Sequence, residues 1–303
     1  MKLTNYSNSE GKLVACVVGN DGLLYKIRDN ECSAPTVDDL LARYSLHELD
    51  QITEEIARDK EREGIRADSV KLSTPVISPE KILLAAVNYH SHLEEHHAKP
   101  PSEPYFFTKF RNALIASGEE IIIPKISKMV DWEVELAVII GKKGKYIPRN
   151  KAFDYVAGYS VAVDVSFRDL RFPSHSSSSS RSSESNASLG THWVKAKGLD
   201  NSFPLGPWLV TVDEVPDPQT LEISLSVNGV IKQRSNTAEM IFSVDELIEH
   251  ASTGITLKPG DVISTGTPGG VAMFTDQKYL KDGDIVEATI SRIGTIRNPV
   301  RAE

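Results

Sequence analysis

The chain has 303 residues and 33.3 kDa, 40% of them apolar and 25% charged, enough for one large domain or two modest ones with a substantial core. Its 34 basic against 42 acidic residues leave a net charge of −8, which argues against a phosphate backbone as the main partner. The longest apolar runs, Leu13 to Val18 and Ile82 to Val87, fall far short of the roughly 20 residues that span a bilayer, and two cysteines, Cys16 and Cys32, cannot build a disulfide scaffold. Met1 to Val18 hold no basic start followed by an apolar stretch and a cleavage site, so the expected location is cytoplasmic.

Leu13 to Val18 read as a buried strand, the Asn20-Asp21-Gly22 cluster as a turn, and Leu23 to Ile27 as the hairpin partner. From Val37 onward Leu40, Leu41, Tyr44, Leu46, Leu49, Ile52 and Ile56 recur at helical spacing, which predicts one or two surface helices. Pro75 and Pro79 then punctuate the chain, so the expected division is a small N-terminal domain over 1–75 and a larger one over 76–303. The larger part carries short β-type runs: Ile82 to Val87, Ile121 to Ile123, Val134 to Ile140, Tyr155 to Val163, Leu209 to Val212, Leu221 to Val227, Val262 to Thr265 and Ile285 to Ile290. Helical periodicity is scarce apart from Val244 to Ala251, so a β-rich α+β fold is expected rather than a doubly wound sheet. Ser174 to Ser188, rich in serine, reads as a flexible surface loop, with a cover over an active site as the alternative.

Three segments carry chemistry. In Asp131-Trp132-Glu133-Val134-Glu135-Leu136 acids alternate with apolar residues, which places Asp131, Glu133 and Glu135 on one face of a strand that runs straight into Ala137 to Ile140. Carboxylates entering a buried strand are costly unless a cation neutralises them, and oxygen ligands select a hard ion such as Mg²⁺, Mn²⁺ or Ca²⁺. Asp164 stands alone as an acid in the apolar run Gly158 to Val165; it is a third ligand, the cap of a turn, or the partner of a nearby arginine such as Arg168. Metal binding and a solvated acidic face both remain open on this spacing.

The segment Asn88 to His97 leaves the end of a buried strand, and in a turn of helix His92 and Glu95 share one side, where a carboxylate can orient a histidine as a general base. His90, His96 and His97 read as surface residues, and no H-E-x-x-H or cysteine partner supports zinc. Thr265-Gly-Thr-Pro-Gly-Gly-Val271 reads as a glycine loop after a strand: either a tight connection, or a cradle of N–H groups with the Thr267 hydroxyl for an anion.

In this order the segments resemble the fumarylacetoacetate hydrolase family, over roughly residues 76 to 298. The motifs are Asn-Tyr-x-x-His-x-x-Glu at 88–95, Phe-x-Lys at 107–109, Glu-x-Glu at 133–135, Gly-Tyr-x-x-x-x-Asp-x-Ser-x-Arg-Asp at 158–169 and Lys-Gly-x-Asp at 197–200. Pro-Leu-Gly-Pro-Trp at 204–208, Asn-Gly at 228–229, Gln233 and the 265–271 loop complete the set, of the acylpyruvase or 2-hydroxyhepta-2,4-diene-1,7-dioate isomerase type. The resemblance implies a mixed β-roll, a homodimer, and Mg²⁺ or Mn²⁺ on Glu133, Glu135 and Asp164. It assigns His92 and Glu95 as a dyad with Lys197 and Arg168 near the developing oxyanion, and Lys109, Gln233, Thr267 and Arg171 to the substrate. Arg171 stands where the family usually has glutamine, which points to a substrate with another carboxylate or to a solvent-facing side chain. The activity expected is hydrolytic cleavage of a carbon–carbon bond in a 2,4-dioxo acid, acylpyruvate or fumarylacetoacetate-like, through a metal-held enolate; the alternative is an isomerase, hydratase, dehydratase or decarboxylase of 2-oxo diacids. A structural metal-binding protein would keep the acids without the His92 and Glu95 spacing, and a nucleic-acid binder would need a basic face that is not found.

Overall fold

The computed structural model describes residues 1–27, 35–59, 62–171 and 191–303, so the Ser174 to Ser188 segment and Cys32 lie outside the described residues. The run of alternating apolar residues at the centre of the sequence forms the strand Val134–Ile140, in which every residue is buried. Its two faces meet different layers. Val134, Leu136, Val138 and Ile140 pack with Ile223, Leu225, Val286, Ala288 and Ile290, whereas Ala137 and Ile139 pack with Leu40, Leu41, Leu49 and Ile56. Period-two alternation thus divides one strand between a second sheet and a helical layer. Each side chain of Val, Leu or Ile so enclosed contributes about 1.5–3 kcal/mol of apolar burial.

The sheet containing this strand has 12 strands. Its central order is Lys2–Ser7, Phe203–Thr211, Val156–Val163, Val134–Ile140, Val262–Ser264, Ile82–Ala86 and Tyr105–Lys109. Most pairs are antiparallel, but Val262–Ser264 runs parallel to Ile82–Ala86, so the sheet is mixed. A second sheet of 5 strands orders Val230–Asn236, Glu222–Val227, Ile285–Ile290, Gly294–Ala302 and Ile121–Ile123. The hairpin between its first two strands turns at Asn228 and Gly229, both at positive φ (51° and 76°), as a two-residue turn requires. The architecture is the β-rich α+β roll expected.

The first 75 residues join the same large sheet: Lys2–Ser7 pairs with Leu13–Val18 on one side and, at Lys2 and Leu3, with Val210 and Leu209 on the other. Helices Val37–Arg43 and Leu46–Arg58 each begin with a capping box, Thr36 with Asp39 and Ser45 with Glu48. No helix among the described residues is long and apolar enough to cross a membrane.

Candidate active site and metal centre

Glu133 and Glu135 sit at the entry to the central strand, in the phase of Ala137 and Ile139. The neighbouring strand Val156–Val163 runs antiparallel in the register Val134↔Val163, so its next residue, Asp164, faces Glu133 and its N–H donates to the Glu133 carbonyl at 2.8 Å. Cross-strand register therefore brings together acids 31 residues apart (164 − 133) in the chain. Carboxylate oxygens of Glu133, Glu135 and Asp164 lie within 4.8 Å of one another, and all three residues are buried.

The charges around them are unequal. Arg168 donates to Asp131 (2.8 Å) and Glu133 (2.6 Å), and Lys197 Nζ donates to Glu133 (2.6 Å), Asp164 and Ser166. Burial alone would raise the Glu133 carboxyl, but Lys197 and Arg168 outweigh it and hold that group well below the usual range. Glu135 goes the other way: burial, then repulsion from Asp164 and Glu133, pushes it well above the usual range. Burial also raises Asp164, against the attraction of Lys197 and Lys109. The Lys197 ammonium is disfavoured by burial, yet Asp164 and Glu133 raise it on balance.

These residues fit a divalent cation. All donors are oxygens, and Lys109 Nζ stands 3.1 Å from Asp164 Oδ1 without the direction of a hydrogen bond, so this buried oxygen has no hydrogen-bond partner. A buried carboxylate oxygen that lacks a hydrogen-bond donor, beside mutually repelling acids, is where a hard cation would bind.

Asp131 does not continue that face. The strand is interrupted at 132 and 133, and Asp131 belongs to the short Val130–Asp131 strand, where it accepts from the N–H groups of Trp132, Ala272 and Met273. Arg168, considered as Asp164's partner, pairs instead with Asp131 and Glu133.

The dyad residues meet as their spacing suggests. In the His90–Glu95 helix His92 Nδ1 is 3.0 Å from Glu95 Oε2, and Glu95 Oε1 accepts from Gly270 N–H at 2.7 Å. With a carboxylate accepting at Nδ1, the proton lies on that nitrogen and Nε2 is left basic. The glycine loop serves both halves of the site. Gly266 N–H donates to Glu135 at 3.1 Å, Gly269 N–H to Ser91 at 3.0 Å, and Thr267 bonds the Val134 carbonyl at 2.9 Å. Its hydrogen bonds go to side chains and a strand carbonyl.

A cavity of about 300 Å³ opens over the carboxylates, and His92, Arg168, Arg171, Lys197 and Thr267 line it. Lys109 and Gln233, assigned to the substrate by resemblance, stand behind the wall instead. Lys109 is 2% exposed, its ammonium held by the Val165 and Lys197 carbonyls and Ser202, and burial lowers its pKa to about 8. Gln233 bridges Val134 N–H, Thr267 and the Pro268 carbonyl at 2.8–2.9 Å. His96, read as a surface residue, lies on the cavity wall, its ring 4.7 Å from that of His92 and 4.4 Å from Phe274. Trp193 and Ser166 also reach the site without having been singled out; Ser166 fell only within a motif. The i, i+4 spacing from His92 was the available signal for His96.

Comparison with known proteins shows the family of the chain. The family model described as fumarylacetoacetate (FAA) hydrolase C-terminal matches residues 81–301. Over 249 residues the chain is 41% identical to an oxaloacetate tautomerase, fahd2, mitochondrial, from Xenopus laevis, covering 82% of this chain and 74% of that protein. The solved 2-hydroxyhepta-2,4-diene-1,7-dioate isomerase of Mycobacterium marinum superposes with a TM-score of 0.73 at 28% identity, covering 100% of this chain and 99% of that one. A fumarylacetoacetate hydrolase of Exiguobacterium antarcticum superposes with a TM-score of 0.80 at 26% identity over the whole of both chains. A glutamate pair and a cross-strand aspartate beneath a histidine–glutamate dyad, on a mixed roll matched from 81 to 301, make this chain an enzyme of the fumarylacetoacetate hydrolase family.

Proposed function

We propose that the chain is an isomerase that moves a proton between carbon and oxygen of a 2-oxo acid, interconverting its keto and enol forms. The observation that carries this reading is the likeness to an oxaloacetate tautomerase over most of the chain. Carbon–carbon hydrolysis, the activity expected from sequence, needs an activated water besides the same proton transfers; the tautomerase and isomerase likenesses favour the simpler reaction.

Glu133, Glu135 and Asp164 would hold Mg²⁺ or Mn²⁺, which when bound acts as a Lewis acid and acidifies the C–H next to the 2-oxo group. His92 removes that proton at Nε2, and Glu95 keeps the opposite nitrogen protonated and stabilises the imidazolium that forms. Negative charge gathering on the 2-oxo oxygen is eased by the field of the Lys197 ammonium, whose three N–H groups hold Glu133, Asp164 and Ser166, with Arg168 also holding Glu133 in place. The same proton returns from His92 to the oxygen, so the net change is one proton moved from carbon to oxygen. The His96 and Phe274 rings stand against the ring of His92, 4.7 and 6.0 Å away, and limit water around it.

The test follows the decay of enol-oxaloacetate absorbance in Mg²⁺ buffer, with acetylpyruvate assayed in parallel. Acceleration well above the buffer rate, without cleavage of acetylpyruvate, is the expected result. Cleavage of acetylpyruvate with no effect on the enol of oxaloacetate would return the site to a hydrolase.

A further inference from the structure

Asp131 and Trp132 stand where the strand breaks before Glu133, and both reach the segment that follows the glycine loop. Asp131 is fully buried, and each of its carboxylate oxygens takes two donors. Oδ1 accepts from the N–H groups of Trp132 and Ala272 at 2.8 Å, and Oδ2 accepts from Met273 N–H at 3.1 Å and Arg168 Nε at 2.8 Å. These donors fill a carboxylate, so this acid has no capacity left for a cation. Its partners lead in two directions. Arg168 gives Nε to Asp131 and a terminal nitrogen to Glu133 at 2.6 Å, so one planar fork joins a ligand carboxylate to Asp131. Ala272 and Met273 open the single helical turn Ala272–Phe274, whose Phe274 ring stands 6.0 Å from that of His92 and 4.4 Å from that of His96. Trp132 Nε1 adds a bond to the Gly270 carbonyl at 3.1 Å, and the Gly270 N–H anchors Glu95.

We propose that Asp131 is a positioning residue that couples the cation site to the dyad: it sets Arg168 against Glu133 on one side and holds the turn that backs His92 on the other. Asp131 shares the Arg168 charge with Glu133, so the guanidinium does not neutralise Glu133 alone and the ligand keeps charge for a cation. The fork is rigid and fixed at both ends. A cation that orders Glu133 therefore also orders the guanidinium, Asp131 and the N–H groups of Ala272 and Met273. The inference rests on the cation site formed by Glu133, Glu135 and Asp164, and not on which reaction the site performs.

The test reads Mn²⁺ binding on the full chain. Calorimetry gives Kd for wild type, Asp131→Asn, Arg168→Gln and the double variant, and hydrogen–deuterium exchange resolved to single amides follows Ala272 and Met273 with and without Mn²⁺. In wild type Mn²⁺ should slow exchange at both amides. Asp131→Asn, which sets an amide N–H₂ against donors, should lose that slowing and weaken Mn²⁺ binding about 10- to 100-fold, the range for residues that orient metal ligands. In the Arg168→Gln background the same change should scarcely matter, because the link is already cut. Should Asp131→Asn fail to fold, Arg168→Lys supplies the same two readouts with the same expected losses. It keeps Asp131 and its N–H partners, but an ammonium does not span both carboxylates as a planar fork does. No slowing in wild type, an unchanged Kd in folded Asp131→Asn or in Arg168→Lys, or an equal loss in both backgrounds would each overturn the proposal. None of these readouts needs turnover, so failure of the enol-oxaloacetate assay removes the proposed function and leaves this coupling standing, and the reverse holds as well.

Discussion

In the proposed reaction His92 can act as a base only while Glu95 accepts from Nδ1, and Glu95 is itself held by the Gly270 N–H at 2.7 Å. Neither residue is a proposed ligand, so their removal separates proton transfer from metal binding. His92→Ala and Glu95→Gln should each lower kcat by about 10²–10⁴-fold with Mn²⁺ affinity retained, and the double variant should be scarcely worse than His92→Ala. Multiplicative losses in the pair would show that the two act separately. His96 makes a second prediction through its folded pKa of about 4 against an ordinary 6.5, set by burial and then by His92, Arg171 and Arg168. Between those values the unfolded chain binds a proton that the native chain refuses, so stability is complete above pH 6.5 and falls as pH drops towards 4. His96→Gln should flatten the slope of Tm against pH in that window; an unchanged slope would show that His96 is not held neutral. At this scale the sequence displayed Glu133 with Glu135 and His92 with Glu95, because the spacing within each pair is local, whereas Asp164 joins the two glutamates only through cross-strand register. The sequence could not display which cations face the acids. Lys197 and Lys109 reach Asp164 across 33 and 55 residues (197 − 164 and 164 − 109), and only the sheet register brings them together.

The glycine loop after Val262–Ser264 shows why element boundaries matter to the chemistry. A Cβ on Gly270 would stand 2.1 Å from the Lys232 carbonyl, and its φ of +105° lies where side chains are strained. Gly270→Ala should therefore cost about 2–4 kcal/mol and also lower kcat, because the N–H that anchors Glu95 must move. Urea unfolding and turnover measured together check this; a stable variant with intact kcat would show that the loop yields without disturbing the dyad. The connection from the Ile82–Ala86 strand to the His90–Glu95 helix is strained as well, since Val87, β-branched, has φ +30°. Period-two and helical spacing made the apolar strands legible, and Val134–Ile140 and Ile285–Ile290 have the bounds that their runs suggest. Strands such as Val230–Asn236 and Gly294–Ala302 stayed hidden because polar side chains break their apolar pattern and backbone pairing alone defines them.

Across the whole molecule, the carboxylates stand where the central pair of antiparallel strands meets the glycine loop, so whatever neutralises them couples to the entire sheet. Of the three carboxylates Glu135 has the poorest compensation: buried, repelled by Asp164 and Glu133, and bonded by Ser264 and the Gly266 N–H. A cation that binds only the folded state stabilises it by mass action, by about 2.7 kcal/mol at a hundredfold excess over Kd. For a chain of this size that corresponds to a Tm increase of roughly 4 °C with Mn²⁺. Glu135→Gln sharpens the prediction, because it removes a ligand and a repelled buried charge together. Without metal the variant should melt at the wild-type temperature or above it, since a neutral amide avoids the desolvation that a charge suffers. With Mn²⁺ it should lose most of the wild-type increase, since the site keeps only two of its three carboxylates. Calorimetric scans of both proteins with and without Mn²⁺ read the two effects apart. A full Mn²⁺ shift in Glu135→Gln would place the cation elsewhere, and a variant that melts well below wild type without metal would make Glu135 a structural anchor instead of a poised ligand.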